Sequence, residues 1–211
     1  MPISGPKIKE YMDEGKISIN PIFDEQEQIQ ASKIDLRLDN VFYRTKSEQS
    51  TYRDTLFDKY DHLEKIVVPF EDVISDPLDD VGGAREDATK IQNGFVLHPD
   101  EFVLGQTFEY VDISEDLRGL LTGRSSMGRE GVIVHSTATL IDPNYSGPIT
   151  FELSTNGNLP VVLYPRQRIA SIEFEKVKGE SKRKESRFGD VVDPSPEDQG
   201  PEDKHILSKE I

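Results

Sequence analysis

Three short segments in the second half of the chain hold residue types that could do chemistry together. In Ile149-Thr150-Phe151-Glu152-Leu153, strand alternation turns Ile149, Phe151 and Leu153 to one side and Thr150 and Glu152 to the other. A carboxylate presented this way can take up and return protons, although a lone glutamate on a strand is usually just solvated. In Gly123-Arg124-Ser125-Ser126-Met127-Gly128-Arg129, a glycine lets the backbone turn, two hydroxyls and several N–H groups can face an anion, and two arginines add charge. Taken alone, the same heptad reads equally as a polar turn with surface arginines. The third segment is His135-Ser136-Thr137-Ala138, running on to Ile141-Asp142-Pro143-Asn144-Tyr145-Ser146-Gly147. Asp142 ahead of a proline is, by itself, a turn former.

Composition narrows the chemistry. The 211 residues include no cysteine and only four histidines, His62, His98, His135 and His205, with no HExxH-like spacing. Disulfides, thiol nucleophiles and the His/Cys zinc site of the metal-dependent nucleobase deaminases are therefore closed to it. The formal net charge of −15 opposes nucleic-acid binding, so no nucleic-acid partner is expected. An anionic ligand must then meet a local cluster of arginines and backbone N–H groups. No apolar run approaches the ~18 residues of a membrane helix, and the start has no secretory signature, so a cytoplasmic protein without a membrane partner is expected.

The elements that must hold these segments can be read from periodicity. Ser4 can cap a short helix through about Glu14, with Ile8, Tyr11 and Met12 on one face and Gly15 as its stop. Ile34, Leu36 and Leu38 alternate with Asp35, Arg37 and Asp39, the period of a half-buried strand. Residues 46–93 form an acidic insertion with short apolar pieces such as Ile66-Val67-Val68 and a flexible point at Gly82-Gly83. From Gly94 to about residue 178, short β-branched and aromatic runs are separated by Gly, Pro, Asn and Asp, the pattern of a sandwich or barrel. No GxGxxG or GxxxxGKS motif occurs, and nothing alternates strand with long helix. Residues 1–178 thus read as a single, mainly β domain with a short N-terminal helix, and 179–211 as a polar tail that could act as a lid.

In this order and spacing, GRSSMGR, HSTA…IDPNYSG and ITFELS resemble the dCTP deaminase family of the dUTPase-like superfamily, including its bifunctional dCTP deaminase/dUTPase members. EGKISINP and SKIDLRL near the start, and LPVVLYPRQRIASIEF near the end, extend the likeness. The resemblance implies a distorted β-barrel of jelly-roll type and zinc-independent hydrolytic deamination of dCTP to dUTP and ammonia. It also implies Mg²⁺ carried on the triphosphate, dUTP as a further nucleotide partner, dTTP as an inhibitor, and a homotrimer or dimer of trimers. By the same resemblance Glu152 activates water and shuttles protons, Arg129 holds that carboxylate, and Ser125 helps position the water. Arg124, Ser126 and the backbone through Met127 and Gly128 match the triphosphate-binding loop. Asp142 matches the acid facing the deoxyribose. Thr150 and Phe151 match backbone positions reading the pyrimidine edge, and Ala138 a carbonyl beside the attacking water.

Two departures stand out. The family's C-terminal closing segment with Tyr, Lys and Gln has no Tyr-containing counterpart after residue 178; Lys182, Arg183, Lys184 and Arg187 could supply its charge, and Arg187-Phe188-Gly189 is similar to the closing segment of dUTPases. His135, Ser136 and Leu140 resemble bifunctional members that carry dCTP on to dUMP, whereas Thr139 matches neither subgroup and Ser171 stands where bifunctional members can carry glutamine. The alternatives to a deaminase are a dUTPase acting on dUTP alone and a non-catalytic nucleotide-sensing protein on the same core.

Overall fold

The computed structural model describes residues 1–45, 63–69, 94–137 and 139–179. Most of the acidic insertion with Gly82-Gly83, the tail with its basic run and Arg187-Phe188-Gly189, and Ala138 lie outside the described residues.

Helix α1 (Gly5–Asp13) opens with Pro6 in its first turn, where a missing N–H costs nothing, and buries Ile8 and Tyr11. Ser4 occupies the N-cap without a side-chain hydrogen bond, and Gly15 closes the helix at φ 70°. Gly5 is required by close approach: a Cβ there would strike the Gln30 carbonyl, and its N–H donates to Ala31 O at 2.7 Å. Strand β1 (Ile17–Asn20) follows, then a one-turn helix α2 (Glu25–Gln28) that periodicity did not announce. Asp24 caps it, accepting from the N–H groups of Gln26 and Glu27.

The remaining elements are β2 (Lys33–Arg37), β3 (Val41–Thr45), β4 (Leu63–Val67), β5 (Phe95–Leu97), β6 (Val103–Ile113), β7 (Leu117–Gly123), α3 (Ser125–Arg129), β8 (Val132–Ile133), β9 (Leu140–Ile141), β10 (Ser146–Thr155), β11 (Val161–Leu163) and β12 (Arg168–Lys176). Among the described residues they form a six-stranded sheet along β4-β3-β6-β10-β8, with β1 also on β6, a four-stranded sheet β2-β12-β7-β9, and the pair β11-β5. All pairings are antiparallel. One continuous core joins the inner faces of the two larger sheets, with Leu36, Leu121, Ile172 and Phe174 from one and Val103, Val111, Ile149, Phe151 and Leu153 from the other. The mainly β, barrel-like architecture and the short N-terminal helix follow the sequence expectation. The β core, however, is not confined to residues beyond Gly94: β1, β2 and β3 are integral to the sheets, and β4, which contains Ile66-Val67, extends one of them.

Strand β2 also departs from simple alternation. Ile34 and Leu36 are buried as expected, but Asp35 on the opposite face is only 2% exposed, with the side chains of Arg124, Arg168 and Ser171 gathered on its carboxylate. A second buried acid, Glu109 on β6, faces the same region. Glu109 Oε2 accepts from the backbone N–H of Arg37 at 2.8 Å, and its Oε1 accepts from Arg37 Nη1 and Gln28 Nε2, each at 3.2 Å. Gln28, itself fully buried, donates also to Asp35 O and accepts from Phe23 N, so α2 is stitched to β2 and β6.

Burial pushes the Glu109 carboxyl up from its ordinary value near 4.5 to about 7, against the opposing pull of the Arg37 N–H and guanidinium. A raised carboxyl pKa means that the folded protein keeps a proton that the unfolded chain has already lost between these two values. The stability owed to Glu109 is therefore complete below pH 4.5 and declines as pH rises to about 7, then levels off. The unfolding free energy of the wild type minus that of Glu109→Gln should fall across this window when measured by denaturant titration. A difference that rises with pH would show that Arg37 outweighs burial and that the carboxylate is ionised throughout.

Candidate active site

Strand β10 is the spine of the site. Gly147, Ile149, Phe151, Leu153 and Thr155 point into the core, while Pro148, Thr150, Glu152 and Ser154 point away. β6 pairs with one edge of β10, with Glu152 opposite Leu104, and β8 pairs with its last residues on the other edge. Beyond β8 the chain stays in register long enough for Val134 O to accept from Glu152 N at 3.0 Å. It then turns across the strand so that the N–H groups of Ser136 and Thr137 both donate to Glu152 Oε2, at 2.7 and 3.0 Å. The Thr137 hydroxyl lies 3.3 Å from Oε1 and 3.4 Å from Oε2. One carboxylate oxygen is thus tightly held by charge-assisted bonds, and Oε1 is the freer one. Beside it, His135 Nδ1 is buried with no hydrogen-bond partner among the described residues.

The heptad at 123–129 does not form the glycine turn expected of it. Arg124 is extended and caps the short helix α3, and neither Gly123 nor Gly128 has positive φ; the reversal falls on Gly131 at φ 79°, where a Cβ would come within 3.2 Å of Gly157 N. α3 leads directly into β8, so the arginine-rich segment and Glu152 stand on neighbouring stretches of chain. Ser125, Ser126, Gly128 and Arg129 are exposed, whereas Met127 packs on the core with Gln167 Nε2 at 3.7 Å from its sulfur.

Arg124 is the anchored member of this segment. Its N–H donates to Ile169 O at 3.0 Å, Nη1 donates to Arg168 O at 3.3 Å, and Nε lies 3.3 Å from Asp35 Oδ2. Asp35 Oδ2 also lies 3.6 Å from Arg168 Nη1, and Oδ1 accepts from Ser171 Oγ at 2.8 Å.

The structure therefore groups some of the sequence candidates and leaves others apart. Among the described residues Arg129 makes no ion pair with Glu152; the donors on that carboxylate are Ser136 and Thr137. Asp142 is exposed, in a turn closed by Tyr145 N donating to Asp142 O at 3.2 Å with Asn144 at φ 60°. Thr150 is exposed beside Glu152, and Phe151 lies fully in the core, so its side chain belongs to packing. Sequence reasoning missed Asp35, Arg168, the contact of the buried Ser171 with Asp35, and the two gripping amides. A serine inside the apolar run Ile169-Ala170-Ser171-Ile172 was the one signal available for this cluster. Among the described residues no helix is long and apolar enough to cross a membrane.

Comparison with known proteins bears on this arrangement. A family model described as dCTP deaminase-like matches residues 3–177. A protein of Dictyoglomus thermophilum named "dCTP deaminase, dUMP-forming" is 42% identical over 179 residues, covering 84% of this chain and 81% of its own. One of the same name from Methanobrevibacter smithii is 40% identical over 175 residues, covering 82% and 79%. A Natronomonas pharaonis protein named "dCTP deaminase" is 36% identical over 185 residues, covering 87% and 84%. The crystal structure of 2'-deoxycytidine 5'-triphosphate deaminase from Agrobacterium tumefaciens superimposes with a TM-score of 0.56 at 17% identity, over 82% of this chain and 47% of that one. That match bears on the fold alone, whereas the near-complete family match and the identities of 36–42% bear on descent. With both in hand, the chain belongs to the dCTP deaminase-like family.

Proposed function

We propose that this protein is an enzyme that deaminates dCTP hydrolytically and carries the product on to dUMP and pyrophosphate. The observation that carries the reading is Glu152, a half-buried carboxylate with one oxygen clamped by two backbone amides and the other freer to handle a proton. Water attacks C4 of cytosine while N3 gains a proton, and the tetrahedral adduct then expels ammonia. A single positioned carboxylate that alternates between base and acid serves each step. Arg124, Ser126 and the backbone through Gly128 take the triphosphate, Ser125 and the Ala138 carbonyl help to place the water, and Thr150 and Phe151 read the pyrimidine edge through the main chain. The arginines and hydroxyls of this segment suit phosphate oxygens rather than a bare cation. Mg²⁺ would accordingly arrive on the triphosphate, where it neutralises charge. The second water, oriented by Asp142 toward the α-phosphate, would release pyrophosphate. The relatives named as dUMP-forming and the residues His135, Ser136 and Leu140 support this second step.

The reading also includes a trimer, or a dimer of trimers, with sites shared between subunits. Its support is that Arg129 is exposed and makes no ion pair with Glu152 of its own chain among the described residues, so a second copy is the natural source of the arginine for that carboxylate.

Three outcomes are expected. Glu152→Gln keeps the shape but cannot carry protons, so ammonia release should be abolished with dCTP affinity kept within about tenfold, or ~1.4 kcal/mol; near-normal turnover would sink the mechanism. With dCTP and Mg²⁺ alone, ammonia and pyrophosphate should appear in equal amounts without accumulation of dUTP. Ammonia without pyrophosphate would leave a plain deaminase, pyrophosphate from dUTP with no ammonia from dCTP a dUTPase, and neither product a nucleotide-sensing protein. Finally, co-assembling Arg129→Ala with Glu152→Gln chains should restore activity that neither variant has alone. Verified mixed oligomers that stay inactive, or sedimentation as a monomer, would remove the shared-site reading.

A further inference from the structure

A buried acid outside the catalytic set, Asp35, is placed where it can govern nucleotide binding. Its side chain is 3% exposed, yet it is the common partner of two arginines and a serine: Arg124 Nε at 3.3 Å, Arg168 Nη1 at 3.6 Å and Ser171 Oγ at 2.8 Å. Arg168 is further committed to Glu27, through the carbonyl at 2.9 Å and the carboxylate at 3.2 Å, and its side chain is only 13% exposed. Arg124 differs. Its side chain is 27% exposed; Nε lies 3.3 Å from Asp35 Oδ2, Nη1 donates to the Arg168 carbonyl at 3.3 Å, and Nη2 has no partner among the described residues. A guanidinium engaged at both Nε and Nη1 presents Nη2 in a fixed attitude, ready to donate to a phosphate oxygen.

We propose that Asp35, locked by Ser171, is a positioning residue for the triphosphate: it holds Arg124 so that the unpaired Nη2 of its guanidinium meets the phosphates. This rests on the reading of Arg124 as a triphosphate ligand. It deepens that reading by naming the β2 carboxylate that orients the arginine. Because Asp35 is buried, it touches no substrate, and its effect reaches the nucleotide through Arg124 alone.

The test is a double-mutant cycle in the full chain. Asp35→Asn keeps the shape and removes the charge. It should raise KM for dCTP about tenfold while kcat stays within about twofold, the loss expected for one charge-assisted bond. Ser171→Ala, which only loosens the lock, should raise KM about threefold. In an Arg124→Ala background both effects should vanish, since there is no guanidinium left to orient. Additive losses in the double variants, or a fall in kcat at constant KM, would overturn the role of Asp35. An unchanged KM in Arg124→Ala alone would instead overturn the reading of Arg124 as a phosphate ligand. If circular dichroism shows that Asp35→Asn does not fold, the Ser171→Ala arm of the cycle decides the matter by the same criteria.

Discussion

Strand β2 carries one buried acid, Asp35, and lies beside another, Glu109 on β6. Neither can sit in a β core unless donors close around it, because an unpaired buried charge costs several kcal/mol. Much of the architecture around the site is the set of donors that answers this constraint. Gln28 and Arg37 converge on Glu109, which obliges α2 to dock on the sheet. Arg124, Arg168 and Ser171 converge on Asp35, which ties the segment before α3 to β12 and β2. Satisfying the two acids is what brings helices, loops and both large sheets into one register.

The placement of Glu152 depends on a different economy of strand geometry. β10 has a core face and a working face, and a shift of one residue would exchange them, burying Glu152 and exposing Phe151. Its long pairing with β6, the register shift between Pro148 and Thr150, and the short pairing with β8 together hold that register. The same β8 segment then supplies the Ser136 and Thr137 amides, so the element that fixes the strand also grips its glutamate. Backbone donors carry no side-chain entropy of their own, which suits a group that must stay put while protons pass through it.

The acidity of the chain sharpens the same picture. With a net charge of −15, no general attraction for a polyanionic nucleotide exists, so affinity must be built locally. The arginines available there are Arg124 and Arg168, both anchored on Asp35, and the exposed Arg129 at the end of α3.

Much of this was legible in the sequence. Period-two alternation marked β2 and β10, Gly15 marked the end of α1, and three motifs in order pointed to the dCTP deaminase-like family and to Glu152. Those signals are local, written in neighbours along the chain. What alternation misjudged was Asp35, assigned to solvent because its neighbours are apolar, when Arg124, Arg168 and Ser171 close over its carboxylate. Helix α2 was invisible because a single turn has no period, and the glycines of the heptad suggested a turn that the backbone makes later, at Gly131. By itself, then, the sequence determined the fold class and the family, and nominated Glu152, because these rest on residue type and spacing. Only the tertiary structure decided which donors hold Glu152 and which acid sits beneath Arg124. Those contacts join residues 15 or more positions apart, and up to 136 apart, through strand pairing that no local pattern encodes.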